Sequence, residues 1–216
     1  DFYYFFLIDQ YHCVVVIADV SGNVVPAALF MMRVKALLNQ LLREDLSPDQ
    51  VLARANDGLC EDNEAGMFVT VWLGVLDLRS GKLVYANGGH NPPLYRHADG
   101  SVEWMRDRSG LLLGSFEGVP YRVFERTMIR GDSLILYTDG VTEAMDASDH
   151  CYGDERLFQL VERECDGYPA SVSGVIEEDV RAFAEGADQA DDITLLVLRY
   201  DGQENGPAAS AAGNRG

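Results

Sequence analysis

Residues 13–41 read CVVVIADVSGNVVPAALFMMRVKALLNQL, and the change of period inside this stretch decides the fold. Residues 13–20 (CVVVIADV) form a continuous β-branched run, the pattern of a buried strand. Ser21-Gly22 breaks the run. Pro26 then opens a helix in which Ala27, Phe30, Met31, Val34, Leu37, Leu38 and Leu41 recur at helical spacing. On the other side, the apolar residues 2–8 turn at Asp9-Gln10 and pair with this strand as a hairpin.

Working outward, Ser47-Pro48 starts a second helix, with Ser as N-cap and Pro at the first helical position. The two helices are expected over residues 26–44 and 47–62. Strands follow over 67–78 and 82–86 about Ser80-Gly81, over 94–97 and 102–105 about Asp99-Gly100, and over 121–129 and 133–138 about Arg130-Gly131-Asp132. The stretches 87–93 (NGGHNPP) and 106–118 read as irregular. Helices over 155–164 and 170–185 precede a last strand, 193–200. Strands joined by short turns, with helices in two separate pairs, specify an α+β fold: a layered architecture of mainly antiparallel sheets with helices packed outside. One domain over 1–200 is expected, and the Gly/Ala/Ser/Asn-rich residues 201–216 read as a disordered tail.

The chain has 216 residues, of which 47% are apolar and 24% charged, ordinary globular usage. Seventeen basic against 35 acidic residues leave a net charge of −18. That excess disfavours nucleic acid and anionic membranes as partners, although divalent cations would reverse the local field for a phosphorylated substrate. No apolar run approaches the ~18 residues of a membrane span, so no membrane contact is expected of these residues. Cys13, Cys60, Cys151 and Cys165 form no CxxC pair and no zinc-ligand spacing. Reduced thiols and a cytoplasmic location are the expectation. The sequence starts at Asp1 within an apolar pattern and reads as a piece of a longer protein, whose own membrane topology is left open.

Aspartates recur at strand ends. Asp1 begins the first strand, Asp19 closes the second, Asp139 follows residues 134–137 (LILY), and Asp191-Asp192 precede the last. Each alone also suits a turn or cap. Together, gathered at one sheet edge, they would repel one another unless cations sat among them, and hard oxygen donors of this kind suit Mg²⁺ or Mn²⁺.

The segments carrying these acids resemble the metal-dependent protein phosphatases, in their bacterial stage II sporulation protein E-type branch. The resemblance rests on residues 17–22 (IADVSG) with 26–29 (PAAL), 67–70 (MFVT), 76–78 (LDL), 85–87 (YAN), 89–94 (GHNPPL), 113–114 (LG), 131–132 (GD), 137–143 (YTDGVTE) and 191–194 (DDIT), in order and in register over nearly all of residues 1–200. It implies a four-layer α-β-β-α sandwich. It also implies hydrolysis of phosphoserine or phosphothreonine in proteins, with two Mn²⁺ or Mg²⁺ ions and a metal-activated water in place of a side-chain nucleophile. Carried over by position, Asp19 would bridge both ions, Asp1 would bridge or ligate, the backbone carbonyl of Val20 would complete one shell, and Asp139 and Asp191 would ligate the second ion. His90 reads either as a proton donor or extra-metal ligand, or as a histidine bonded to its own loop. Glu143 reads as an accessory ligand or an exposed cap, and Asp192 as a residue that orients its loop or as an accessory ligand. The branch further implies a phosphorylated partner, such as an anti-sigma-factor antagonist, and an upstream sensor domain.

Three departures stand against the family pattern. Val24 replaces a usual glycine, Tyr4 replaces a common Asp, and the family's two glycines before Asp1 are not in this sequence. Ser21, besides, stands where eukaryotic relatives have a histidine that acts as general acid. Val24 and Tyr4 support an alternative, a catalytically weak pseudophosphatase that binds a partner. A two-metal phosphodiesterase or nuclease is a third reading, disfavoured by the acidic charge.

Overall fold

A computed structural model describes residues 1–22, 24–187 and 191–202, together with the backbone but not the side chain of Val24. Most of the expected tail therefore lies outside the described residues. The elements are β1 (Phe2–Leu7), β2 (His12–Val20), α1 (Val24–Leu41), α2 (Pro48–Cys60), β3 (Val69–Asp77), β4 (Lys82–Gly88), β5 (Leu94–Arg96), β6 (Val102–Trp104), β7 (Phe124–Thr127), β8 (Ser133–Tyr137), α3 (Asp139–Thr142), α4 (Asp154–Glu164), α5 (Pro169–Phe183) and β9 (Leu195–Arg199). The strands form a five-stranded sheet, β1-β2-β3-β4-β7, and a four-stranded sheet, β6-β5-β8-β9. Every pairing of named strands is antiparallel.

The β-branched run of β2 is explained by burial on two faces. Val14, Val16 and Ala18 pack toward α1 and α2, against Phe30, Val34, Leu38, Leu52 and Leu59. Val15 and Ile17 point the other way, into the space between the sheets, with Trp72, Leu134 and Leu136. β8 is buried along its whole length for the same reason. Its Leu134 and Leu136 face the first sheet, while Ile135 and Tyr137 face α4 and α5 through Leu157, Val161, Val172 and Ile176. Three apolar seams thus separate four layers. Each fully buried aliphatic side chain in them contributes about 1.5–3 kcal/mol.

The helices and strands lie where the periodicity puts them, with shifted ends. α1 begins at Val24, before Pro26, and the first two residues of the expected strand 67–78 serve other bonds. Met67 N–H donates to Asn63 Oδ1 (3.0 Å) and Phe68 N–H donates to Ser21 Oγ (2.9 Å), so β3 starts at Val69. The expected strand 121–129 shrinks to Phe124–Thr127, because Arg122 N–H bonds back to the Ser109 carbonyl and Tyr121 packs under the helices. The short helix α3 had no signal of its own, being a single turn between Thr138 and Glu143. Residues 106–118 are irregular as read. They are nevertheless held by the buried Asn56, which accepts from Gly114 N–H (3.0 Å) and donates to the Phe116 carbonyl (2.8 Å).

Candidate active site at the strand ends

Register alone carries the acids toward one end of the sandwich. Asp19 lies near the C-terminal end of β2, opposite Thr70 of β3, and Val20 ends the strand opposite Val69. Phe2 pairs with Ala18, which sets Asp1 beside that same end. In the second sheet Tyr137 pairs with Leu195, so the residues after β8 adjoin those before β9. Thr138 sews them together: its N–H donates to the Thr194 carbonyl (3.1 Å), and its Oγ1 accepts from Thr194 N–H (3.1 Å). Thr194 Oγ1 in turn donates to Asp1 Oδ2 (3.1 Å), which ties the start of the first sheet to the 191–194 segment.

Gly140 permits this close approach. A Cβ there would stand 2.1 Å from the Asp192 carbonyl oxygen, so only glycine lets the first turn of α3 lie against the 191–192 backbone. At the end of β2, Ser21 N–H donates to the Phe68 carbonyl (2.9 Å) while its Oγ accepts from Phe68 N–H, which extends the β2–β3 ladder. Gly22 then turns the chain with φ +88°. The Ser21 hydroxyl is therefore engaged in holding the turn. Val24 stands in helical conformation, free of the left-handed strain that a replaced glycine could bring. Tyr4 packs into the helix-facing seam beside Phe2 and Phe6.

The carboxylates act on one another. Burial, then the neighbouring Asp139, with further contributions from Asp191 and Glu143, push Asp19 up to about 6, against the pull of the N-terminal amino group. Asp139 is raised by burial, then by Glu143 and Asp191. No Lys or Arg is among the principal influences on either group, and among the described residues neither enters a salt bridge. Among the described residues no three Asp, Glu, His or Cys side chains are drawn up tightly enough to hold an ion. The donor set is all oxygen and partly desolvated, with no Lys or Arg side chain among the main influences on Asp19 and Asp139. It fits hard divalent cations, Mg²⁺ or Mn²⁺.

The remaining candidates take distinct places. Glu143 caps α3, its N–H bonded to the Asp139 carbonyl (2.7 Å); its exposed side chain adds negative potential to both principal acids. Asp192 is exposed. Its N–H bonds to Asp191 Oδ1 (2.7 Å), and its carbonyl accepts from Thr138 Oγ1 at 3.4 Å, so it shapes the loop. His90 is 5% exposed, with Nδ1 2.8 Å from Thr70 Oγ1. Thr70, Thr194 and Asn87 escaped the motif reading as functional residues. Of these, Asn87 had a local signal, an Asn three residues before the His it clamps.

Fold and site together define a class: a two-sheet, four-layer sandwich that brings acids from the strand ends of both sheets within electrostatic reach of one another. Within that class, residues 9–201 match the family model for Stage II sporulation protein E (SpoIIE), and the chain belongs to this family. It is 28% identical over 197 residues to the phosphoserine phosphatase RsbU of Bacillus subtilis (strain 168), covering 91% of this chain and 58% of RsbU. The chain thus spans little more than half the length of that relative. Among solved structures, the SiaA-PP2C domain of Pseudomonas aeruginosa superposes with a TM-score of 0.78 at 20% identity, over 93% of this chain and 80% of the other. The PP2C phosphatase domain of SpoIIE from Bacillus subtilis, solved with a fragment of its regulatory domain, gives 0.77 at 19% identity, over 91% and 57%. These two likenesses show the fold. Among the described residues no helix is long and apolar enough to cross a membrane.

Proposed function

We propose that this chain is a metal-dependent protein serine/threonine phosphatase domain acting in sigma-factor regulation. One observation carries the reading. Asp19 and Asp139, from different sheets and distant parts of the sequence, lie close enough for Asp139 to raise the Asp19 carboxyl, with no basic side chain among the main influences on it. Asp19 and Asp139 would be the principal ligands of a pair of Mn²⁺ or Mg²⁺ ions, joined by Asp1, Asp191 and the backbone carbonyl of Val20. Such ions, when bound, supply the positive charge that a phosphoryl group under displacement requires and make water acidic enough to attack at neutral pH. The chain's own contribution is placement: β2 and β8 fix the two acids, Thr138 and Thr194 hold the 191–192 segment against α3, and partial burial desolvates both carboxylates. Glu143 and Asp192 would orient neighbouring groups from the rim.

The substrate class follows from the relatives, since RsbU is named a phosphoserine phosphatase. A phosphorylated anti-sigma-factor antagonist is the proposed partner, with a sensor domain elsewhere in the parent chain and a cytoplasmic site of action. The test is Asp139→Asn assayed in two ways. Turnover of a phosphoserine protein with Mn²⁺ should disappear. In chelator, the thermal midpoint should rise, because one of the mutually repelling charges is gone. Metal-independent turnover, or an unaltered midpoint together with retained activity, would show that the acids do not share a site.

A further inference from the structure

Asp1 lies just outside β1, so strand pairing fixes the backbone of Phe2 beside Ala18 but leaves the Asp1 carboxylate to be held by something else. The hold comes from the other sheet: Thr194 Oγ1 donates to Asp1 Oδ2 (3.1 Å). A hydroxyl can aim only if its own backbone is fixed, and Thr194 is fixed twice by Thr138. The Thr194 carbonyl accepts from Thr138 N–H (3.1 Å), and Thr194 N–H donates to Thr138 Oγ1 (3.1 Å). Thr138 is fully buried, and its hydroxyl gives its own proton to the Asp192 carbonyl (3.4 Å). Thr138 immediately precedes Asp139, and Asp192 immediately follows Asp191. Two threonine hydroxyls therefore connect the segments of Asp1, Asp139 and Asp191, which come from three distant parts of the chain.

We infer that Thr194 is a positioning residue, anchored by Thr138, whose hydroxyl fixes the Asp1 carboxylate relative to Asp139 and Asp191. It acts through Asp1, because its one proton is committed there. A neutral donor suits this task. A Lys or Arg could hold Asp1 as firmly, but its positive charge would compete with a cation for the carboxylate. The hydroxyl engages one acceptor position on Oδ2 and leaves the negative charge and the remaining acceptor positions of the carboxylate for an ion. Side chains that orient metal ligands in this indirect way typically change metal affinity or activity ~10–100-fold when removed. The inference rests on the metal-site reading above.

The experiment compares wild type with Thr194→Val, Thr194→Ser, Asp1→Ala and the double variant Asp1→Ala/Thr194→Val, with Asp139→Asn as the reference for a lost ligand. Mn²⁺ binding is followed by the electron paramagnetic resonance signal of the free ion. Turnover of p-nitrophenyl phosphate is resolved into kcat and KM, and thermal unfolding is recorded in chelator. Thr194→Val keeps the shape of the side chain and both backbone groups bonded to Thr138, and removes only the hydroxyl. It should weaken Mn²⁺ binding about tenfold or more and lower kcat with little change in KM, while unfolding stays cooperative. Thr194→Ser, which restores the hydroxyl, should return both quantities toward wild type. In the Asp1→Ala background Thr194→Val should add nothing further, since no carboxylate remains to be positioned. The inference is refuted if Thr194→Val or Asp1→Ala binds Mn²⁺ as wild type does while Asp139→Asn loses it, or if Thr194→Ser is as impaired as Thr194→Val. It is equally refuted if Thr194→Val weakens binding as much beside Asp1→Ala as it does alone, or if Thr194→Val no longer unfolds cooperatively, for the residue would then serve the fold. A wild-type protein that binds no Mn²⁺, or an Asp139→Asn protein that binds it unchanged, overturns the metal-site reading and this inference together.

Discussion

Gly140→Ala isolates the spacing of the site from every other property of the chain. The glycine stands in α3 without a positive φ, so alanine is conformationally admissible there and is the better helix former by about 1 kcal/mol. The penalty is steric. The new Cβ would lie 2.1 Å from the Asp192 carbonyl oxygen and 2.9 Å from its carbon, and 3.5 Å from the Asp191 carbonyl oxygen. Opening the first contact to at least 3.0 Å requires the 191–192 backbone to withdraw by about 1 Å relative to Asp139. Misplacement on that scale costs on the order of 10²-fold in rate. The prediction is a kcat reduced about 100-fold in Mn²⁺-dependent hydrolysis of a phosphoserine peptide, with cooperative unfolding retained. A Gly140→Ala protein whose kcat stays within about threefold of wild type, under the same misplacement scale, would refute the reasoning, because the 191–192 segment would then need no fixed place beside Asp139.

Other consequences are independent of that one. Ser21→Ala leaves the Phe68 N–H without its acceptor and should cost about 1 kcal/mol in denaturant unfolding; a fall in kcat far beyond threefold would instead give the hydroxyl a chemical role. Burial holds His90 down at about 4, so the folded protein resists protonation there while the unfolded chain takes up a proton near 6.5. Its stability contribution is full above 6.5 and is lost as pH falls through 4, up to about 3 kcal/mol. Asp19 works in the opposite sense: its raised carboxyl favours the folded state below its ordinary range, and this is lost as pH rises through about 6. The measurement that separates them is the difference in unfolding free energy between wild type and His90→Gln from pH 7 to 4, which should shrink toward acid. Leu38→Ala, at a fully buried position between α1 and the first sheet, should cost about 2–5 kcal/mol, read in the same unfolding experiment, with the pH dependence unchanged.

Local chemistry made much of the protein legible in its residues. Continuous β-branched runs in β2 and β8 announced strands covered on both faces, and they are covered on both faces. The 3.6-residue spacing of α1 and the Ser47-Pro48 start of α2 likewise follow from properties of neighbouring residues, as does the expectation that antiparallel sheets carry helices outside. Aspartates at strand ends were visible for the same reason, because each is coded beside the apolar run that places it. Functions of side chains whose partners are distant were not visible. Thr70 reads as one more residue of a strand face until register sets it opposite Asp19 and the fold brings His90 to its hydroxyl. Asn56 sits in an ordinary helical pattern, yet it holds residues 114 and 116. Gly140 reads as a turn residue, and its need for an absent side chain comes from a carbonyl some fifty positions away.

Sequence alone therefore determined which elements form, which faces they bury, and which acids stand at their ends, since periodicity and turn chemistry act over a few residues. Tertiary structure alone decided which of those acids feel one another, how closely the 191–192 backbone approaches α3, and what the buried imidazole joins. Those are distances between segments far apart in the chain, set by strand register and packing, and no run of neighbouring residues contains them.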